Sequence, residues 1–299
     1  MKRAGFVIYM LVGAALLASG FATTERGFKE NDREILYKVA DDYEDIGDMG
    51  FKGFCPLDYK VAFSDSEQDI VVNYNGGECD YTKRDAVYGG VVGSIYQDGD
   101  EFEVVVPEYD IWITIEKLNN APLSAVIWHE SFHAYQNSHH DLYEKISPDT
   151  LSETELAGIV DSNDEAKRLF TKELEILSRV IGDENSSDIN EIAIEYSKIA
   201  KERRGLLSDQ VINSEDYYTM MEGSAYYVES QAVRLENGEQ TYKKQYLDTA
   251  SKYVEGDAKY YRLGMLECML LDKLDKEWKA SYSFDRTLDE VIEEYAFGE

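Results

Sequence analysis

Two different spacings of apolar residues divide this chain near residue 120. Before that point, short segments rich in Val, Ile and Tyr are separated by turn residues, which predicts strands at 59–63, 70–74, 86–96, 102–106 and 111–115. After it, apolar residues recur every three or four positions, which predicts helices at 156–181, 189–203, 217–235, 242–253 and 258–274. We therefore predict an α+β fold, with a small, mainly antiparallel sheet in residues 23–118 and a largely helical portion in residues 119–299.

The composition is compatible with a single domain over residues 23–299. The chain of 299 residues is 43% hydrophobic, which is enough to form a substantial core without disulfide bonds. Cys268 lies in an apolar stretch, which predicts a buried thiol. An oxidising compartment would permit a bridge between Cys55 and Cys79, so a bridged pair and two free thiols remain alternatives.

The N-terminal residues resemble an export signal. Lys2 and Arg3 precede an uncharged stretch from residue 4 to 21, and small residues near its end offer cleavage positions. Because that stretch is close to the shortest length that spans a bilayer, an uncleaved N-terminal anchor is the alternative. We therefore expect residues 1–22 to be a signal peptide or an anchor, and the remaining residues to be secreted or held at the cell surface.

The chain is strongly acidic, with a formal net charge of −30 at pH 7. A surface of this charge repels nucleic-acid phosphates and anionic lipid headgroups. We therefore expect no nucleic-acid partner, and membrane contact only through the N-terminal segment. The charge is also typical of a solvated surface, so it names no substrate.

The sequence His129-Glu130-Ser131-Phe132-His133 carries the most specific chemistry. Residues four apart share one face of a helix, so both imidazoles can bind one metal ion while Glu130 lies beside the open coordination position. Pro122 suits the first turn of such a helix and residues 119 and 120, both Asn, can cap it. The apolar contacts that this helix would make come from Ala125, Val126, Trp128, Phe132 and Tyr135.

A second helix supplies a candidate for the third metal ligand. In residues 222–229, EGSAYYVE, Glu222 and Glu229 recur along one helical face, and the small residues after Glu222 permit close approach to a neighbouring helix. Together the two segments resemble the HExxH motif and the EGxAxYxE helix of gluzincin metallopeptidases. This resemblance implies a zincin-like fold, a zinc ion held by His129, His133 and Glu222, and Glu130 as the general base.

The sequence also departs from the gluzincin pattern. Between His133 and Glu222 there are 88 residues, far more than in the aminopeptidase branch, and no GxMEN segment is present, so aminopeptidase activity is not expected. Tyr226 stands where thermolysin-like relatives have an aspartate, which leaves Glu229 or a backbone carbonyl to orient a histidine. His139 has the spacing of a metzincin third ligand, although Gln136 replaces the glycine of that motif, and it remains the alternative to Glu222.

These features predict a secreted or surface-anchored zinc metallopeptidase, an endopeptidase, acting on peptide or protein substrates. The competing interpretation is a non-catalytic extracellular binding module with a structural or degenerate zinc site. The residue that would stabilise the oxyanion is left open among Tyr227, Tyr242, Tyr246, Tyr260 and Tyr261. Gly264 is expected to allow close helix packing.

Overall fold

The computed structural model of this chain describes residues 27–90, 93–119, 121–138, 150–181 and 189–298. They divide into two compact units: the first takes the described residues of Met1–Gly47 and Cys55–Ala134, and the second those of Asp48–Phe54 and Tyr135–Glu299. The division falls within one continuous helix, Leu123–Ser138, which contributes to both units. The signal or anchor predicted at residues 1–22 lies outside the described residues, among which no helix is long and apolar enough to cross a membrane.

The first unit contains a five-stranded sheet in the order β3-β2-β1-β5-β4. The strands are β1 (Lys60–Ser64), β2 (Gln68–Asn75), β3 (Glu78–Asp85), β4 (Ser94–Asp98) and β5 (Glu101–Pro107). The β1–β5 pair is parallel and the other three pairs are antiparallel. A helix, α1 (Glu30–Ile46), precedes the sheet, and two helices, α2 (Tyr109–Asn119) and α3 (Leu123–Ser138), follow it. The predicted small sheet in the N-terminal half is thus confirmed.

Two glycine-containing turns join neighbouring strands. Gly76 and Gly77, both with positive φ, connect β2 to β3, and Gly99, with φ 67°, connects β4 to β5. Glycine adopts this backbone region without steric cost, which is why it favours such short hairpin connections. β3 was not predicted, because most of its side chains are exposed and polar. The predicted strand at 86–96 was too long, since only the part from Ser94 onward belongs to β4.

The predicted strand at 111–115 was wrong, because these residues lie in α2. The backbone N–H groups of Ile111 and Trp112 donate to the carbonyl of Glu108, at 3.0 and 2.9 Å, and the Asp32 carboxylate accepts from the N–H of Tyr109 at 2.8 Å. A carboxylate at a helix N-terminus satisfies an N–H group that the helix itself leaves without a partner. This tertiary cap outweighs the weak strand preference of the β-branched residues.

The second unit is mostly helical, as predicted. Among the described residues, its helices beyond α3 are α4 (Glu153–Asp161), α5 (Asp164–Leu177), α6 (Ile189–Arg204), α7 (Asp209–Tyr218), α8 (Ser224–Tyr242), α9 (Ala258–Leu274), α10 (Trp278–Ser281) and α11 (Leu288–Phe297). A π-helical turn, Thr219–Gly223, joins α7 to α8, and a second, Lys243–Leu247, follows α8.

Two predicted helices of this unit have different bounds in the structure. The helix predicted at 156–181 is divided between α4 and α5, because the side chain of Asn163 caps a new helix by accepting from the N–H of Ala166 at 3.1 Å. The helix predicted at 242–253 does not continue beyond the second π-helical turn. The carbonyls of Thr249 and Lys252 instead accept hydrogen bonds from the Arg262 guanidinium, at 3.2 and 3.0 Å.

All three cysteines are free thiols. The bridge between Cys55 and Cys79 that an oxidising compartment would permit is therefore not formed in this structure. Cys268 is fully buried in α9, as its apolar surroundings predicted.

Candidate metal centre

The two histidines of the HExxH motif face each other on α3. Their Nε2 atoms lie 3.1 Å apart, and both side chains are buried. Two imidazoles on a tetrahedral zinc ion at about 2.0–2.1 Å would place their nitrogens roughly 3.3 Å apart. The helix therefore presents both nitrogens at nearly the separation that one zinc ion requires. The five apolar residues predicted to pack this helix are all buried. Their packing sets the rotation of the helix and therefore the position of the two histidines.

The start of this helix differs slightly from the prediction. It begins at Leu123, and the carbonyl of Pro122 accepts from the N–H of Val126 at 3.2 Å. Asn119 is the last residue of α2 and therefore does not cap α3. Residue 120 lies outside the described ranges.

The C-terminal turn of α3 is attached to the π-helical turn that carries Glu222. The Gln136 side chain is fully buried, and its Nε2 lies 3.1 Å from the carbonyl of Met220, 3.0 Å from that of Met221 and 2.9 Å from Oγ of Ser224. A π-helical turn inserts an extra residue into a helix and is frequent at functional sites. Within the second unit, Gln136 thus holds the backbone on either side of Glu222.

Glu222 completes a group of three potential metal ligands. One donor atom from each of His129, His133 and Glu222 lies within 4.8 Å of the others, and Glu222 is fully buried. The set consists of two imidazoles and one carboxylate, which is a ligand combination typical of catalytic zinc sites with an open fourth position. The structure therefore brings together all three residues that the sequence resemblance suggested as ligands.

Close packing of two glycines fixes the turn that carries Glu222. A Cβ atom added to Gly223 would lie 2.4 Å from Cα of Gly264, and one added to Gly264 would lie 2.1 Å from the carbonyl oxygen of Thr219. Neither position has room for a side chain. The π-helical turn therefore packs backbone to backbone against α9, which agrees with the expectation that Gly264 permits close helix packing.

A phenol and a second carboxyl group accompany Glu222 in this unit. Tyr261 lies one turn before Gly264 on α9, and Glu153 lies at the start of α4. Burial, with the negative charges of Glu222 and Asp257, raises the pKa of the Glu153 carboxyl to about 8. Burial and the negative charges of Glu222 and Glu153 raise the pKa of Tyr261 well above its usual value.

Glu130 lies against the start of an edge strand. Its side chain is buried, and a Cβ atom added to Gly93 would lie 2.6 Å from its Oε1. Gly93 directly precedes β4, so the absence of a side chain there lets the carboxylate approach the strand backbone. The Tyr88 hydroxyl donates to the carbonyl of Ile95 on β4, and burial together with the charge of Glu130 raises the pKa of Tyr88.

The other residues proposed from the sequence are His139, Glu229 and the candidate oxyanion tyrosines. His139, the alternative third ligand, lies outside the described residues. Glu229 accepts a hydrogen bond from the Tyr246 hydroxyl at 2.7 Å, while the Tyr227 hydroxyl donates to Asp272 at 2.6 Å and accepts from Lys279 at 2.9 Å. Of the five tyrosines proposed as oxyanion donors, Tyr261 is the one whose pKa is raised by the charge of Glu222.

Sequence reasoning missed three residues that shape this site. The sequence marks Gln136 only as a departure from the metzincin glycine, and it gives no indication of Glu153. Gly93 lies in a glycine-rich stretch, residues 88–94 (YGGVVGS), inside the predicted strand at 86–96. A glycine inside a strand often marks close approach of another group to the backbone. No comparable local signal marks Gln136 or Glu153, because their partners are distant in sequence.

Comparisons with protein-family models, with curated proteins and with solved structures find no match to this chain.

Proposed function

We propose that this protein is a zinc-dependent peptidase that hydrolyses internal peptide bonds outside the cytoplasm. The observation that carries the proposal is the convergence of buried donors from His129, His133 and Glu222, with Glu130 next to the first histidine on the same helix. The resemblance of both ligand segments to gluzincin motifs supports the same class. Export through residues 1–22 remains a prediction from the N-terminal sequence.

The donor set fits a catalytic zinc site better than a structural one. Structural zinc sites are generally closed by four protein ligands, often cysteines, whereas catalytic sites have three protein ligands and an open position. Here the described residues provide two imidazoles and one carboxylate, and none of the three cysteines belongs to the group. The chemistry that a bound zinc ion supplies at such a site is activation of a water molecule and polarisation of a carbonyl.

Glu130 is the proton-transfer residue in this proposal. Its carboxylate is buried and adjoins the first histidine in sequence, so it can accept the proton of the attacking water and then donate it to the departing amine. Gly93 leaves room for the carboxylate to remain close to the β4 backbone while the proton is transferred.

The edge of the sheet next to Glu130 supplies a binding mode for an extended peptide. β4 is the last strand in the sheet order and pairs on one side with β5. An extended segment can add to a free strand edge through backbone hydrogen bonds, which gives affinity with little dependence on side chains. In this proposal β4 is the strand that binds the substrate.

Replacement of Glu130 by Gln tests the mechanism directly. The purified wild-type protein should contain about one equivalent of zinc and cleave members of a peptide library. Glu130→Gln should retain the zinc and lose cleavage, because the amide cannot accept the proton. The matched control is Glu101→Gln, an exposed glutamate of β5 that pairs with Lys60 and whose replacement should leave both properties unchanged.

The outcome also separates the two classes of function. Equal cleavage by wild type and Glu130→Gln would refute the assigned base. Zinc binding without any cleavage by the wild type would favour the non-catalytic binding module instead. A Glu222→Ala protein with unchanged zinc affinity would show that Glu222 is not a ligand.

A further inference from the structure

We infer that the Tyr88 hydroxyl occupies the edge of β4 to which a peptide substrate adds, and that the substrate binds by replacing this hydroxyl with a backbone N–H. The inference rests on the proposed function, in which β4 is the strand that binds the substrate. All the residues that carry it lie in the first unit.

The pairing of β4 with β5 determines which of its backbone groups face outward. Asp98 and Glu101 pair across a two-residue turn, and in such a turn the N–H of the last residue donates to the carbonyl of the first. Hydrogen-bonded and non-hydrogen-bonded pairs alternate along an antiparallel ladder, so Asp98 and Tyr96 direct their backbone groups toward β5. Ile95 and Gln97 therefore direct their N–H and carbonyl groups toward the outer edge of the sheet.

Tyr88 already bonds one of these outward groups. Its hydroxyl donates to the carbonyl of Ile95, with an oxygen–oxygen distance of 2.5 Å. The half-buried ring packs together with Tyr96 against the buried cluster that includes Val105, so the phenol reaches the strand edge from one face of the sheet. An added strand would donate a backbone N–H to the same carbonyl oxygen. The phenol and the added strand therefore compete for this oxygen.

The carbonyl of Ile95 lies close to the proposed catalytic carboxylate. Gly93, two residues before Ile95, is the point where an added Cβ atom would lie 2.6 Å from Oε1 of Glu130. Two residues of a strand span about 7 Å. A peptide that bonds to Ile95 therefore brings its neighbouring residues beside Glu130, which transfers the proton in the proposed mechanism.

A purely structural hydrogen bond between Tyr88 and Ile95 has the opposite consequence for binding. Loss of a structural contact would loosen β4 and weaken peptide addition, whereas loss of a competitor strengthens it. The net contribution of one hydrogen bond corresponds to roughly a 2- to 12-fold change in affinity. The direction of the change therefore separates the two roles.

The experiment measures peptide affinity by fluorescence anisotropy in the full-length Glu130→Gln protein, so that the measurement requires no turnover. The probe is a fluorescein-labelled peptide of alternating Lys and Val, which favours an extended conformation and has a charge opposite to that of this acidic chain. Adding Tyr88→Phe removes only the hydroxyl and keeps the ring, and it should lower the Kd by roughly 2- to 12-fold. If Tyr88→Phe does not fold, Tyr88→Leu, which also lacks the donor, is judged by the same criterion.

Tyr37→Phe is the matched control for the phenol. Tyr37 is another half-buried tyrosine of the first unit, and its hydroxyl donates to the carbonyl of Gly77 at 3.2 Å. Gly77 lies in the turn between β2 and β3, at the opposite end of the sheet order from β4. Loss of this hydroxyl should therefore leave the Kd unchanged.

Two further measurements test the place and the step at which Tyr88 acts. Bound peptide should slow hydrogen exchange of the Ile95 and Gln97 N–H groups and leave that of Tyr96, which faces β5, unchanged. In the protein that retains Glu130, Tyr88→Phe should lower the KM of a cleaved library peptide and leave kcat unchanged, because the phenol competes with binding and takes no part in the reaction.

The results distinguish failure of this inference from failure of the proposed function. If the protein binds the probe but the wild type cleaves no library peptide, the peptidase proposal is refuted and the Kd comparison still tests Tyr88. If the wild type cleaves peptides and Tyr88→Phe binds the probe no more tightly than Tyr37→Phe, only the competing role of Tyr88 is refuted. If the probe does not bind, or binds without slowing exchange at Ile95 and Gln97, both strand addition at β4 and this inference are refuted.

Discussion

Replacing Gly264 with Ala should disturb the position of Glu222 although the substitution adds only one methyl group. The new Cβ would lie 2.1 Å from the carbonyl oxygen of Thr219 and 2.7 Å from Cα of Gly223. Both atoms belong to the backbone of the π-helical turn, so no flexible side chain can move aside. The turn or α9 must therefore shift.

The size of the shift follows from these distances. Ordinary contacts of a Cβ atom begin near 3.4 Å, so the Cβ and the Thr219 oxygen must separate by about 1.3 Å, the difference between 3.4 and 2.1 Å. Overpacking of this kind costs about 1–3 kcal/mol, of which the better helix propensity of Ala recovers up to about 1 kcal/mol. Zinc–ligand distances vary by only about 0.2 Å, so we expect the shift to weaken zinc binding by roughly tenfold or more.

Urea unfolding and zinc titration measure the two effects separately. Gly264→Ala should lower the free energy of unfolding of the zinc-free protein by about 1–2 kcal/mol and should also weaken zinc binding. The matched control is Gly158→Ala in α4, where an added Cβ meets no atom within 4 Å. That change should raise stability by about 0.5–1 kcal/mol and leave zinc affinity unaltered.

One result would refute the reasoning about the site. If Gly264→Ala loses stability but binds zinc as tightly as Gly158→Ala, the contact with α9 does not position Glu222. If it loses neither stability nor affinity, the close approach of the two glycines is not required by the fold.

The metal ligands could be proposed from the sequence because their signals are local. His129 and His133 share a helix face through their spacing alone, and Glu222 is followed by small residues that permit close helix packing. The structure places these three side chains together and shows the packing at Gly223 and Gly264 that the small residues allow.

The helix α2 could not be predicted because its cap comes from a distant residue. Asp32 lies on α1, 77 positions before Tyr109, and its carboxylate accepts a hydrogen bond from the N–H of Tyr109. The segment 111–115, IWITI, has the composition of a strand, and nothing within it indicates that a carboxylate will meet its N-terminus. Local preference therefore gave the wrong element where tertiary contact decided the structure.

The groups that surround Glu222 escaped prediction for the same reason. Gln136 contacts residues 84 to 88 positions away, and its amide gives no sequence signal for that role. Glu153 is one of many acidic residues in a chain with a net charge of −30, so its proximity to Tyr261 and Glu222 could not be distinguished from surface acidity.

Two further predictions concern single side chains. Gln136→Met keeps the side-chain length but removes the amide N–H groups that donate to Met221 and Ser224. Because these buried acceptors would lose their donor, the free energy of unfolding in urea should fall by about 2–4 kcal/mol, and zinc binding should weaken. An unchanged zinc affinity would contradict the role of Gln136 in holding Glu222. Asp32→Asn tests pH dependence: burial raises the pKa of this carboxyl to about 6, against about 3.9 in the unfolded chain. The folded state therefore binds more protons between pH 4 and 6, and the wild type should lose roughly 2–3 kcal/mol of stability relative to Asp32→Asn as the pH rises through that window. Asn can still accept from the Tyr109 N–H, so the helix cap persists, and parallel stability curves for the two proteins would refute the assignment.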